Sequence, residues 1–137
     1  MGDFKSFVTS DIEKPERLYI RRRKRGPKTI NAILKTFTIN DGTFIVKLIP
    51  ALNISGYGET ESDAESMLKE ILGDYFDSIL ELKHYKLIHD LSKYGWKLGP
   101  YSKKTFKKTI PINKDIVLNE FGLPKNTPIK ESMLQVA

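Results

Sequence analysis

Between Ala64 and Leu80 the apolar residues fall at Ala64, Met67, Leu68, Ile71, Leu72, Tyr75, Phe76, Ile79 and Leu80. Steps of three and one in alternation hold a single broad stripe over about five helical turns; an extended strand would scatter the same residues onto both faces. Thr60 stands where an N-cap is needed, and Asp63 follows three residues on, a weaker form of the capping box. The acids Asp63, Glu70, Asp74, Asp77 and Glu81 lie off the stripe. A helix of this kind must bury one face against something else, and the residues before it supply a sheet.

Thr29 to Ile39 is rich in β-branched residues, Asn40-Asp41-Gly42 follows, and Thr43 to Ile49 is again strand-like. Asp-Gly between two such runs marks a hairpin, because Gly supplies the positive φ that the turn requires. Pro50 ends the second run, and Leu52 to Tyr57 reads as a third strand. Downstream, a short second helix is predicted near Tyr85 to Lys93, stopping at Gly95. Trp96 to Leu98 and Thr105 to Ile110 are strand candidates, with Gly99-Pro100 as the turn between them. Trp96 is expected to be buried. The predicted class is α+β: an antiparallel sheet of three to four strands covered by one long amphipathic helix, in the order β-β-β-α-β, with a short second helix.

The 137 residues suit one domain, predicted over 28–112. Residues 1–27 carry no sustained period and read as a basic N-terminal arm with a short extended piece through Leu18-Tyr19-Ile20. Residues 113–137 read as a tail with a short helix around Lys114 to Phe121 and a mobile end, since Gly122, Pro124 and Pro128 interrupt it. No run approaches the roughly 18 apolar residues of a membrane span. The first residues lack the charged-then-apolar order of a secretory signal. With no cysteine, disulfides and thiolate metal sites are excluded, and a cytoplasmic location is expected.

Charge is unevenly distributed along a chain of net charge +6. From Arg17 to Lys28 there are seven bases and no acid; from Glu59 to Lys83 eight acids face two bases, Lys69 and Lys83. Lys103, Lys104, Lys107 and Lys108 form a second basic stretch, where alternation with Phe106 is expected to set the charges on one strand face. Such asymmetry steers partners. Arg21, Arg22, Arg23, Lys24 and Arg25, with Tyr19 beside them, are candidates for phosphate contact and base stacking, joined by the four lysines. The alternatives are a solvated tail that aids solubility, or an arm that grips an acidic protein, including the acidic helix of a second copy; a homodimer is therefore expected.

The stretch from Gly42 to Leu80 carries a resemblance. Pro50-Ala51-Leu52, then Gly56-Tyr57-Gly58-Glu59-Thr60, then Asp63-Ala64 opening a long amphipathic helix, resembles the core of HicB-like antitoxins. After the Pro-x-Leu segment that family usually has Gly, where this chain has Asn53. The resemblance implies a partial double-stranded-RNA-binding fold and a binding role: neutralising a small RNA-cleaving toxin by covering its active site, with operator binding in many members. A small basic toxin is the partner it implies, and Glu70, Asp74, Asp77 and Glu81 are the residues chosen to meet it. Locally, Gly56 and Gly58 are read as letting the backbone turn into the helix.

Catalysis and metal binding are not expected. His84 and His89 are five apart, not the three or four that place two ligands on one helix face. No serine sits in a nucleophile elbow. Gly56-x-Gly58 lacks the third glycine of a dinucleotide fingerprint. No cofactor is expected, and the competing functional reading is a nucleic-acid-binding protein that uses the arm and the lysine-rich strand.

Overall fold

The structure is a computed structural model that describes residues 7–21, 28–99 and 104–136. In chain order these form β1 (Phe7–Ser10), β2 (Arg17–Arg21), β3 (Thr29–Asn40) and β4 (Ile45–Ile49). A 3-10 turn at Pro50–Leu52 leads to β5 (Ile54–Gly58), α1 (Glu61–Leu80) and α2 (His84–Ser92). The remainder is β6 (Trp96–Leu98), β7 (Thr105–Lys108), α3 (Lys114–Glu120) and β8 (Ile129–Val136). The α+β class and the antiparallel pairing stand. The described sheet has eight strands rather than three or four, and among the described residues there are three α-helices.

β3 is the axis of this sheet. One of its edges pairs with β8 along Ala32 to Ile39. Its other edge is shared: Thr29 to Ile33 pair with β2, and Phe37 to Asn40 pair with β4. Beyond β2 come β7 and β6, beyond β4 comes β5, and β1 lies outside β8. The predicted β3–β4 hairpin turns through Asp41 and Gly42, with Gly42 at φ +92°. Asp41 accepts the Phe44 N–H at 2.7 Å and the Thr43 N–H at 2.8 Å. Those two bonds hold its carboxyl below the usual carboxylate range.

Two of the expected boundaries are overturned. The segment read as an arm supplies β1 and β2; the expected extended piece at Leu18 to Ile20 is the centre of β2, but Leu18 and Ile20 lie in the core, because Arg17 to Arg21 alternates apolar and polar and fits an open edge of β3. The segment read as a tail holds its expected short helix as α3, but the end read as mobile is β8, which lies between β1 and β3 with Met133, Leu134 and Val136 buried. Pro124 and Pro128 precede that strand and so remove no ladder donor from it.

α1 forms as the periodicity requires. Thr60 Oγ1 accepts the Asp63 N–H at 3.1 Å, and Ala64, Leu68, Leu72, Phe76, Ile79 and Leu80 are buried. With α2 it covers one face of the sheet, meeting Leu18, Leu34, Ile49 and Phe106. Trp96 is buried as expected, its Nε1–H donating to the Ala51 carbonyl at 2.7 Å. Near its N-terminus α1 is tied to the sheet by Glu61, which meets Lys130 at 2.9 Å and Lys47 at 3.3 Å. Among the described residues the helical cover of the opposite face is at one end, where Val117 of α3 packs on Phe37, Ile39 and Leu48.

Gly56 and Gly58 play a different part from the expected turn into the helix. Neither has positive φ. A Cβ on Gly56 would lie 2.5 Å from Leu68 N and 2.7 Å from Ala64 O, and one on Gly58 would lie 2.9 Å from Ala64 N. Both are glycines because α1 rests directly on β5. Asn53 takes the left-handed conformation, φ 55°, which a glycine would adopt with less strain. Gly56→Ala is expected to lower unfolding free energy by roughly 1–3 kcal/mol, the usual range for overpacking against fixed neighbours. Urea denaturation would check this, with the exposed neighbour Ser55→Ala expected to be near neutral.

Candidate functional site

Two charged surfaces lie on opposite sides of the molecule. The first is the solvent side of α1. Glu70, Asp74, Asp77 and Glu81 follow one another at four, three and four residues, which on a 3.6-residue helix keeps them within a narrow arc opposite the buried stripe. Glu70, Asp74 and Glu81 are exposed and Asp77 is half-buried. Glu81 lies one residue past the helix end and pairs with Lys28 at 3.2 Å. Among the described residues the other three form no ion pair.

The second surface is the part of the sheet that α3 leaves open. Strand alternation puts Leu18 of β2 and Phe106 of β7 into the core, so Arg17, Tyr19, Arg21, Thr105 and Lys107 belong to the other face. Pairing sets Arg17 opposite Lys107 and Lys107 opposite Lys97. Three exposed cations thus form a row across β2, β7 and β6. The row continues through Ile33 and Gln135 to Val8 on β1. The next row along places Tyr19 between Asn31 and Thr105.

A groove of about 830 Å³ runs beside the Arg17 end of the row, floored by Ile33 and walled by Pro15 and Pro111. Of its charged lining residues five are cations, Lys14, Arg17, Lys35, Lys107 and Lys108, and two are acids, Glu13 and Glu16, so the groove favours an anionic occupant. Both acids are turned toward Lys35. Glu16 accepts the Lys35 N–H at 2.7 Å, and Lys35 Nζ meets Glu131 at 3.1 Å and Glu13 at 3.5 Å. Burial opposes charge on Lys35, but the hydrogen bond to Glu131 and the charges of Glu131, Glu13 and Glu16 outweigh it, so it keeps its proton above the ordinary lysine range. Burial pushes the Glu16 carboxyl above the ordinary carboxylate range, against the Lys35 N–H and the charges of Lys108 and Lys35. Burial also lowers Lys108, with Glu16 opposing it.

The basic residues chosen from the sequence are thus divided. Arg22, Arg23, Lys24, Arg25 and Lys103 lie outside the described residues. Arg21 and Lys107 share the open face, and Lys104 is exposed just before β7. Lys108 cannot share a face with Lys107, since neighbours in a strand point to opposite sides; its ammonium donates to the Tyr94 carbonyl. The expected single face of lysines is therefore corrected to Lys107 alone among the two in β7. Arg17 and Lys97 were not singled out by composition, though the Arg17-Tyr19-Arg21 alternation was available as a signal. Among the described residues no group of three or more His, Asp and Glu could hold a metal ion, and no helix is long and apolar enough to cross a membrane. Comparison with family models, with curated proteins and with solved structures finds no match.

Since the folded protein binds the Glu16 proton more tightly than the unfolded chain, the stability this group contributes is full below the unfolded value of 4.5 and is lost as pH rises through the raised folded value. Glu16→Gln keeps an oxygen for the Lys35 N–H and removes the titration. The stability of the wild type relative to this variant is therefore expected to fall as pH climbs from about 4 to about 7. Urea midpoints of the two proteins at both pH values measure it, and a flat difference would show that burial does not raise Glu16.

Proposed function

We propose that this chain is a non-enzymatic binding protein of the HicB-like antitoxin kind, holding a small, basic, RNA-cleaving toxin through the acidic side of α1. The observation that carries the reading is the acidic stripe itself. Glu70, Asp74 and Asp77 stand in one arc on the far side of α1 from the core and among the described residues form no ion pair. A protein that binds RNA carries a positive surface, and complementary potentials speed encounter and reject wrong partners. The order β3-β4-β5-α1, with Asp63-Ala64 opening the helix, supports the same reading through its likeness to the family's core. α1 is also a firm platform: it is capped by Thr60, seated on Gly56 and Gly58, and tied down by Glu61.

Affinity purification from the native cells after nuclease treatment is expected to retain a basic protein shorter than a typical domain. Once purified, that protein should cleave RNA, and an equimolar amount of this chain should stop the cleavage. The triple variant Glu70→Lys/Asp74→Lys/Asp77→Lys should fold normally, because all three side chains lie off the buried stripe, yet fail to inhibit. Inhibition that survives the triple charge reversal would remove the acidic stripe from the reading, and a retained protein without RNA-cleaving activity would remove the toxin.

A further inference from the structure

We infer that the open face of the sheet binds single-stranded RNA, with Arg17, Lys107 and Lys97 on its phosphates and Tyr19 under a base. This site is separate from the acidic side of α1 and does not depend on the toxin reading.

Arg17 lies directly opposite Lys107, and Lys107 directly opposite Lys97. Like charges set opposite one another on neighbouring strands destabilise a sheet. Among the described residues none of the three forms an ion pair, and Glu13 and Glu16, which line the groove with Arg17 and Lys107, are turned on Lys35. Among the described residues the free protein therefore holds three exposed cations in a row, about 5 Å from strand to strand, none of them in an ion pair. A polyanion relieves that repulsion.

The geometry of the face selects the kind of polyanion. Along β2, Arg17, Tyr19 and Arg21 share the face, and residues two apart in a strand are separated by about 7 Å. That repeat suits the rise of one nucleotide in an extended single strand, so that a strand with a phosphate on Arg17 can lay the neighbouring base over Tyr19. A base stacked on an aromatic ring is the usual anchor of single strands, and sequence-tolerant. Asn31 and Thr105 flank Tyr19 in register on the same face. They bring amide and hydroxyl groups to where base edges and the 2′-hydroxyl would lie, which favours RNA over DNA. The adjoining groove, with more cations than acids in its lining, gives the strand a path off the sheet.

The test is a titration of fluorescein-labelled single-stranded RNA, about a dozen nucleotides of mixed sequence, at several salt concentrations, with DNA of the same sequence in parallel. RNA should bind, its log affinity falling linearly with log salt, and DNA should bind several-fold more weakly. Lys107→Gln should lower the magnitude of the salt slope by about 0.7, the share of one phosphate contact on a single strand. The same variant should be at least as stable as the wild type, since it removes two like-charge pairs. A purely structural role for Lys107 would predict the opposite. Tyr19→Ala should weaken binding by about fivefold or more. The variant Glu70→Lys/Asp74→Lys/Asp77→Lys, altered on the far face, should bind RNA no less tightly than the wild type, which separates failure here from failure of the toxin reading. No RNA binding at low salt, binding unchanged in Arg17→Gln/Lys97→Gln/Lys107→Gln, or DNA bound as tightly as RNA would each overturn the inference.

Discussion

The architecture depends on one strand that is half-covered at its start and fully covered at its end. In the first half of β3, Ile30, Ala32 and Leu34 are buried while Thr29 and Asn31 are exposed. From Thr36 to Ile39 every residue is buried. The change is written in side chains: polar residues alternate with apolar ones at first, then Phe37 and Ile39 appear on the second face and need a cover of their own. α3 provides it through Val117. Since β2 and β4 divide one edge of β3, the covered end belongs to β4, and the open end belongs to β2, β7 and β6. The exposed cations gather there because, among the described residues, no helix lies over that face.

Elements whose evidence lies within their own sequence could be read without a structure. The stripe of α1, its Thr60 cap, the Asp41-Gly42 turn and the burial of Trp96 all follow from local period or residue size. β1 and β8 could not be read in this way, and β2 only as a short extended piece at Leu18 to Ile20. Each is short or polar on one side, and each is a strand only because a partner far away in sequence offers a matching edge; Ala32 pairs with Val136, for instance. Strand preference of this kind is a property of the pairing more than of the segment. Pro124 and Pro128 suggested a broken tail, although they end before the strand begins. The candidate sites divide along the same line. The acids of α1 share a face by helical period alone, so their grouping was legible. Arg17, Lys107 and Lys97 are neighbours only through strand register, which neither charge counts nor spacing reveal.

A polar layer under the start of α1 fixes how the helix lies. Thr36 pairs with Ser132 and Thr38 with Lys47, and all four are buried, as is most unusual for a lysine. Removing Lys47 from water is unfavourable unless its charge is met, and Glu61, in the first turn of α1, meets it. Lys130 meets the same carboxylate oxygen, and the hydrogen bonds from Lys130 and then Lys47 keep Glu61 below the usual carboxylate range. Apolar packing along the stripe would tolerate a small rotation or slide of the helix. The Glu61 bridge and the close seating on Gly56 would not. Together they set which side of α1 faces outward, and so where the acids stand.

The consequence is a molecule with an acidic side and a basic side separated by a helix and a sheet, a distance of about 20 Å from helix diameter and packing. At physiological ionic strength the Debye length is about 8 Å, so the two sides barely reduce one another's fields, and each can draw its own partner. The same separation bears on self-association. A two-fold dimer applies one patch to its own copy, but here the cationic row and the acidic stripe face away from each other. When the basic side of one copy meets the acidic side of another, the second copy's basic side is left free, and the contact repeats head to tail without closing. Charge complementarity between these two surfaces therefore does not by itself build the homodimer that the sequence suggested. A closed dimer would have to use a different surface, and both charged sides would then remain open to other molecules.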